Sequence, residues 1–247
     1  MSVDAIDRLE RICEEVDARG RVRVSELATD LAVSEMTIRR DLDTLAEQGR
    51  VRRVRGGALA LGPQRFSERF GVQARAKERI AAKLSSLVPE SGAVGLDASS
   101  TLQRLAAAID GARQLTVATN GLEAFNALRE RSGVTVLLTG GQHDTRTGSL
   151  VGPLATRAAQ QLTLDRLFVS AAGMTPEGTS EATLEEAEVK LALAGMSREV
   201  IVAVDHTKLG REGLARCLQL DRVDLLVTDL DPKDTRLGPY RRAVRVL

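Results

Sequence analysis

Two sets of side chains in this sequence have types and spacing suited to binding chemistry. The first is the run Ala32–Ala58, "AVSEMTIRRDLDTLAEQGRVRRVRGGA", which gathers Arg39, Arg40, Arg50, Arg52, Arg53 and Arg55. A guanidinium is a planar fork that bonds two acceptors on guanine or straddles a phosphate. The second set is scattered: "DASST" (Asp97 to Thr101), Thr119-Asn120, Gly140-Gly141, "SAAG" (Ser170 to Gly173) and "DHTK" (Asp205 to Lys208). A hydroxyl-rich turn entering a helix suits a phosphate, because free backbone N–H groups and the helix dipole attract the anion. Carboxylates such as Asp97 and Asp205, and an amide such as Asn120, are the partners that sugar hydroxyls require.

The elements that position the first set are short helices. Residues 4–18 place Ile6, Leu9, Ile12, Cys13 and Val16 at helical spacing, and Gly20 ends that helix. A second helix is expected in "VSELATDL", with Ser25 as N-cap and Leu27, Ala28 and Leu31 inward. Ser34 caps a third, in which Ile38, Leu42 and Leu45 share one face and Gly49 marks the end. Burying that face turns Met36, Thr37, Arg39, Arg40 and Asp43 outward or to the flanks. "RVRRVRGGA" then reads as a β-ribbon with a glycine turn. Two helices about three residues apart, followed by a hairpin, make a winged helix-turn-helix, which would put long donors into a major groove. The ribbon arginines suit backbone phosphates. Against this, residues 1–58 carry about as many acids as bases, and Glu35 with Arg39 makes an ordinary i, i+4 pair.

The second set belongs to a different pattern. "AVGLD", "LTVAT", "VTVLLTG", "RLFVSA", "VIVAVD", "DLLVTD" and "AVRVL" are apolar β-type runs separated by amphipathic helical stretches. That alternation predicts an α/β parallel sheet with helices on both faces, whose ligands sit at the carboxyl ends of the strands. The domains expected are therefore 1–58 (winged helix-turn-helix), 59–73 (linker, with Phe66 and Phe70 docking) and 74–247 (α/β domain).

Composition narrows the classes. The 247 residues carry a net charge of +1, so any basic surface must be local. Aromatics at 2% argue against stacking on single-stranded nucleic acid. Cys13 and Cys217 lie far apart, with no disulfide framework or CxxC spacing. No apolar run approaches the roughly 18 residues of a membrane span. The first residues carry acids where a signal peptide would carry bases, so a cytoplasmic location is expected. No cofactor is expected: no GxGxxG follows the first α/β strand, and His143 and His206 lack metal-ligand spacing. His206, beside Asp205, is either a surface loop residue or a general base.

"VSELATDLAVSEMTIRRDLDTLAEQGRVRRVRGGA" resembles the DNA-binding domain of the DeoR family of bacterial transcriptional regulators, with its recognition helix and "GGA" wing. The resemblance implies that Thr37, Arg39 and Arg40 meet double-stranded DNA, with Arg52, Arg53 and Arg55 on phosphates and Ser34 and Met36 at the same face. "TLEEAEVKLALAGMSREVIVAVDHTKLG" resembles the sensor domain of that family, similar in fold to ribose-5-phosphate isomerase (a Rossmann-like parallel sheet). It implies a phosphorylated sugar effector held by Ser99, Ser100 and Thr101, with Asn120 and Lys208 in the same crevice. Asp97, Gly141, Ser170, Gly173 and Asp205 complete the candidate set. Glu186 and Lys190 are either ligand contacts or an i, i+4 pair. The turn after the fourth strand of the sheet, Ser170-Ala171-Ala172-Gly173, lacks the carboxylate that the related isomerases use there.

The reading is a non-enzymatic repressor of carbohydrate genes, working as a homo-oligomer on a near-palindromic operator. The alternative is a phosphosugar isomerase or deaminase with an accessory DNA-binding domain.

Overall fold

The computed structural model describes residues 3–48, 50–60 and 66–247. It divides into two compact units, Met1–Glu68 and Arg69–Leu247.

In the first unit, helix α1 (Val3–Arg19) leads through strand β1 (Arg21–Arg23) to α2 (Val24–Asp30), α3 (Glu35–Glu47) and the hairpin β2 (Val51–Val54) and β3 (Gly57–Ala60). Leu9, Ile12, Cys13 and Val16 of α1 pack with Leu27, Ile38, Leu42 and Leu45 in one core. Ile6 departs from its expected inward place: it is 46% exposed, because it lies a turn beyond the part of α1 that the core covers. Ser25 is not the N-cap of α2. Helical geometry begins a residue earlier, at Val24, with Arg23 as N-cap and no side-chain cap, and the N–H of Val24, one of the first donors without a partner in the helix, goes to Gly56 O (2.9 Å). Ser34 does cap α3, its Oγ accepting from Thr37 N at 3.1 Å. The expected stop at Gly49 lies outside the described residues.

The ribbon expected from the sequence supplies two strands of a three-stranded sheet. Strand β1 adds to β3 in antiparallel register, giving the order β1-β3-β2. Residues 61–65 of the expected linker lie outside the described residues, and α4 (Phe66–Gly71) follows them.

The second unit opens with α5 (Ala74–Ser85), then runs β4 (Ser91–Leu96), α6 (Ser100–Ala108), β5 (Gln114–Thr119), α7 (Leu122–Leu128) and β6 (Val134–Leu138). A hairpin, β7 (Gln142–Asp144) with β8 (Ser149–Val151), precedes α8 (Pro153–Ala159) and β9 (Leu164–Val169). The chain continues through β10 (Gly173–Thr175), β11 (Gly178–Glu181), α9 (Leu184–Gly195) and β12 (Ser197–Ala203). It ends with β13 (Ala215–Gln219), β14 (Leu225–Val227) and β15 (Arg245–Val246).

Among the described residues the main sheet has the order β15-β14-β12-β9-β4-β5-β6, and every pairing in it is parallel. Alternate residues of its strands feed two cores. Leu167, Val169, Val200 and Val202 pack with α8 and α9, while Phe168, Ile201, Val94 and Leu96 pack with α5, α6 and α7. Burial on both faces is why these strands read as unbroken apolar runs. From β4 the chain moves outward through β5 and β6, then returns to place β9 on the other side of β4. The loops leaving β4 and β9 therefore diverge at a topological switch point, where open parallel sheets bind ligands.

Candidate functional site: a recognition helix and a crevice at the sheet's switch point

On α3, burial of Ile38, Leu42 and Leu45 leaves Met36, Arg39 and Arg40 exposed and Thr37 partly so. The Ser34 and Thr37 hydroxyls share a hydrogen bond of 2.9 Å at the helix start. Arg39 does form the i, i+4 pair with Glu35 (2.9 Å), but both side chains are about half exposed, and such a surface pair contributes little. Arg40 makes no side-chain ion pair among the described residues. Arg52 and Arg55 are likewise exposed and unpaired within the described unit, whereas Arg53 is tied down: its Nε meets Asp43 Oδ1 at 2.6 Å and its Nη1 donates to Gly57 O at 2.5 Å. Arg53 thus braces the hairpin against α3. A second brace, absent from the sequence reading, fixes α3 to α1. Arg8 grips Asp41 with two donors, at 2.6 and 3.2 Å, in a partly buried fork.

In the second unit the loop after β4 is organised around Asp97 and Ser99. Ser99 is the N-cap of α6, its Oγ accepting from Leu102 N at 3.1 Å. The bland role expected of a hydroxyl turn is therefore filled by Ser99. Ser100 and Thr101, both buried, follow at the first helical positions, where backbone N–H groups have no partner in the helix. Asn120 pins the loop: its Oδ1 accepts from Ala98 N (3.1 Å) and its Nδ2 donates to Leu150 O (3.2 Å).

Asp97 joins the two diverging loops. Its Oδ2 accepts from Ser170 N (2.8 Å) and from Lys190 Nζ (2.9 Å), while its buried Oδ1 accepts no hydrogen bond among the described residues. Lys190, on α9, turns to Asp97, Ser170 O (2.6 Å) and Glu181, and not to Glu186 as an i, i+4 pair. All three of its donors are engaged, so Lys190 is a brace of the crevice. Burial opposes its charge, but Asp97 and Glu181 outweigh that and hold the ammonium above the ordinary lysine value. Burial pushes the Glu181 carboxyl up to about 7 against the pull of Lys190. Glu186, also pushed up by burial, starts α9 with its N–H on the Thr183 hydroxyl (3.2 Å).

A cluster of cations gathers around the start of α6. The carbonyl of Arg69 accepts from Lys77 Nζ and from Ser100 Oγ, bringing amine and hydroxyl to one oxygen. The Arg69 guanidinium donates to Thr147 O (2.5 Å). Arg104 lies over the Phe70 ring, 3.8 Å from its centroid, and donates to Phe70 O and Ser100 O. Lys77 is buried, and desolvation, together with Lys208, Arg104 and Arg69, lowers its amine to about 8 despite Asp205. Burial lowers Lys208 as well, with Arg69 and Arg211 adding to it and Asp205 opposing. Asp205 itself caps the turn His206–Lys208 by accepting from Thr207 N at 3.0 Å.

Of the remaining candidates, Gly141 stands exposed in the turn between β6 and β7. Gly173 is needed for packing: a Cβ there would come within 2.3 Å of Arg211 O. His206 is more than a surface loop residue, since its Nδ1 meets Asp229 Oδ2 at 2.8 Å and its N–H donates to Oδ1 at 2.7 Å. Among the described residues no group of histidine, cysteine and carboxylate side chains could hold a metal.

The DeoR-like helix-turn-helix domain family matches residues 8–64, and the DeoR C-terminal sensor domain family matches residues 72–230. The chain belongs to the DeoR family. Within that family it is 35% identical to the HTH-type transcriptional regulator GolR of Listeria innocua, over 90% of each chain. It is 32% identical to the glycerol-3-phosphate regulon repressor of Escherichia coli, over 90% of this chain and 89% of that one. This DeoR-family protein is thus a transcriptional regulator. Its structure also resembles ribose 5-phosphate isomerase A of Methanocaldococcus jannaschii, at a TM-score of 0.38 and 16% identity over 54% of this chain and 53% of that one. That likeness is too distant to bear on activity. The carboxylate missing from Ser170–Gly173 has a neighbour the sequence reading overlooked: Glu181, from the adjacent strand β11, reaches Lys190 beside Ser170. Arg69, Lys77 and Arg104 were also overlooked. No helix among the described residues is long and apolar enough to cross a membrane.

Proposed function

We propose that this regulator is a cytoplasmic homo-oligomeric repressor of carbohydrate genes whose hold on operator DNA is set by a phosphorylated sugar. The observation that carries the effector reading is the cation cluster. Lys77, Lys208, Arg69 and Arg104 gather around the N-terminal end of α6, and their mutual repulsion and desolvation are relieved by a bound dianion. The phosphate lies against Ser100 and Thr101, with Lys77 and Lys208 supplying charge. The unpartnered Asp97 Oδ1 accepts from a sugar hydroxyl, and Asp205, whose charge is felt at Lys77 and Lys208, is the second carboxylate on this side of the crevice. A relative named for a glycerol-3-phosphate regulon supports a small phosphorylated ligand. On the DNA side, Arg40 reads base edges from α3, and Arg39 joins it by leaving its exposed pair with Glu35.

A thermal-shift screen against sugar phosphates tests the effector half. One compound raises the melting temperature, by an amount equivalent to about 2.7 kcal/mol at a hundredfold excess over its Kd. The double variant Ser100→Ala, Thr101→Ala loses most of that shift and keeps its affinity for DNA. A screen in which sugar phosphates and their dephosphorylated sugars shift the protein equally removes the phosphate from the reading.

A further inference from the structure

Resting on the DNA-binding reading above, we infer that strand β1 contributes Arg21 and Arg23 to a second row of contacts with the DNA backbone, on the outer face of the β1-β3-β2 sheet. Register fixes which side chains share that face. Arg21 stands opposite Leu59, which stands opposite Arg52, and Arg23 stands opposite Gly57, which stands opposite Val54. The other face is the one that enters the core, through Val22, Ala58 and Val51. The outer face therefore carries Arg21, Arg23 and Arg52 with no acidic residue in any of the three strands, and Arg55 stands at the hairpin turn beside it.

The arginines of this unit divide by partner. Arg8, Arg19, Arg39 and Arg53 each meet a carboxylate at 3.0 Å or less. Arg11, Arg21, Arg40, Arg50, Arg52 and Arg55 meet none among the described residues, and Arg23 reaches Glu26 only at 3.9 Å; of these, Arg21, Arg23 and Arg52 share the outer face of the sheet. Along β1 the two side chains project about 7 Å apart on one face. Like charges set side by side on a sheet repel unless an anion lies between them. Gly57 makes the row possible: a Cβ there would sit 1.9 Å from Val22 O, so only glycine lets β1 close against the hairpin. The row is continuous with the DNA face already described, because Arg23 lies next to the hairpin turn whose Gly56 carbonyl accepts from Val24 at the start of α2. A duplex backbone, an extended line of phosphates, is the partner that fits a row of unpaired arginines running from that turn.

The test uses the full chain and a random-sequence duplex, whose binding depends on phosphate contacts alone, over roughly 50 to 200 mM salt. Two lost contacts make the plot of log affinity against log salt shallower by about 1.8 in the double variant Arg21→Ala, Arg23→Ala. Its melting curve stays that of the parent, since both side chains are exposed. Arg19→Ala removes the same kind of charge from a residue already paired with Glu15 and Asp30, and leaves the slope unchanged. An unchanged slope in the double variant, or an equal change in Arg19→Ala, overturns the inference while DNA binding itself stands. A parent chain with no affinity for duplex at any salt overturns both.

Discussion

At Lys77 the low amine value, about 8 against an ordinary 10.5, has consequences of opposite sign for the free and the liganded protein. Between those two values the unfolded chain holds a proton that the folded one has released, so stability without ligand rises with pH through this window. Affinity for an anion moves the other way, because the charge that attracts it disappears as pH rises through 8. A sugar phosphate has finished its own second ionisation, near 6, before this range begins. Its dissociation constant should therefore weaken between pH 7 and 9, and Lys77→Met should flatten most of that dependence; titration calorimetry across the range checks both. A constant that ignores pH from 7 to 9 would remove the amine from the anion site. The sequence did hold a sign of this residue. In "AKERIAAKLS" a lysine occupies the inward position, with Ile80, Ala81 and Leu84 three, four and seven residues on. An interior charge on an apolar stripe needs a partner or a task. By contrast, Asp97, Ser99, Ser100, Asn120 and Lys208 were legible because strand ends in a parallel sheet can be located from apolar runs.

Among the elements, α9 is the one on which the crevice depends, through a single side chain. Lys190→Met would leave Asp97 and Glu181 buried without their common cation, and breaking a buried pair from one side costs about 3–5 kcal/mol. The loss should appear as a lower denaturant midpoint for the second unit, and a loss below about 1 kcal/mol would show that water reaches the pair. This brace was half visible in sequence. The helix and its lysine stood out, but Glu181 did not, because β11 is a four-residue strand of "GTSE" with no apolar alternation. The same reason hid β1, β7 and β10, each three residues long. Short strands take their pairing from neighbours brought up by the chain's path, and periodicity cannot register them. The inner strands of the main sheet were readable for the opposite reason, since two cores demand apolar residues along most of their length, whereas the edge strands β6 and β15 have residues open to solvent. Ser25 shows how a local rule loses to a distant partner: a side-chain cap was expected there, but α2 starts a residue earlier, where the N–H of Val24 donates to the carbonyl of Gly56.

For the molecule as a whole, a compact α/β unit is attached to a small unit that carries the recognition helix, and regulation requires that the ligand of one change the affinity of the other. Such coupling is a free energy shared by both equilibria. If a sugar phosphate shifts the affinity for an operator duplex, selected from a random library, by a factor in the usual range of about 5 to 150, then the duplex must shift the affinity for that sugar phosphate by the same factor. The variants separate the two ends of the linkage. Arg40→Ala should lose the operator while binding the sugar phosphate with the parent's strength, because its side chain faces solvent on α3. Ser100→Ala with Thr101→Ala should hold the operator but need much higher sugar phosphate to change that hold, since each lost hydrogen bond to a charged group costs roughly 1.5–3 kcal/mol. Both affinities can be followed by fluorescence anisotropy of labelled duplex and by calorimetry. A sugar phosphate that stabilises the α/β unit yet leaves duplex affinity unchanged binds both DNA states equally, and a ligand without differential affinity moves no equilibrium. In that outcome the crevice would still be a binding site, but the regulator would take its signal from another ligand.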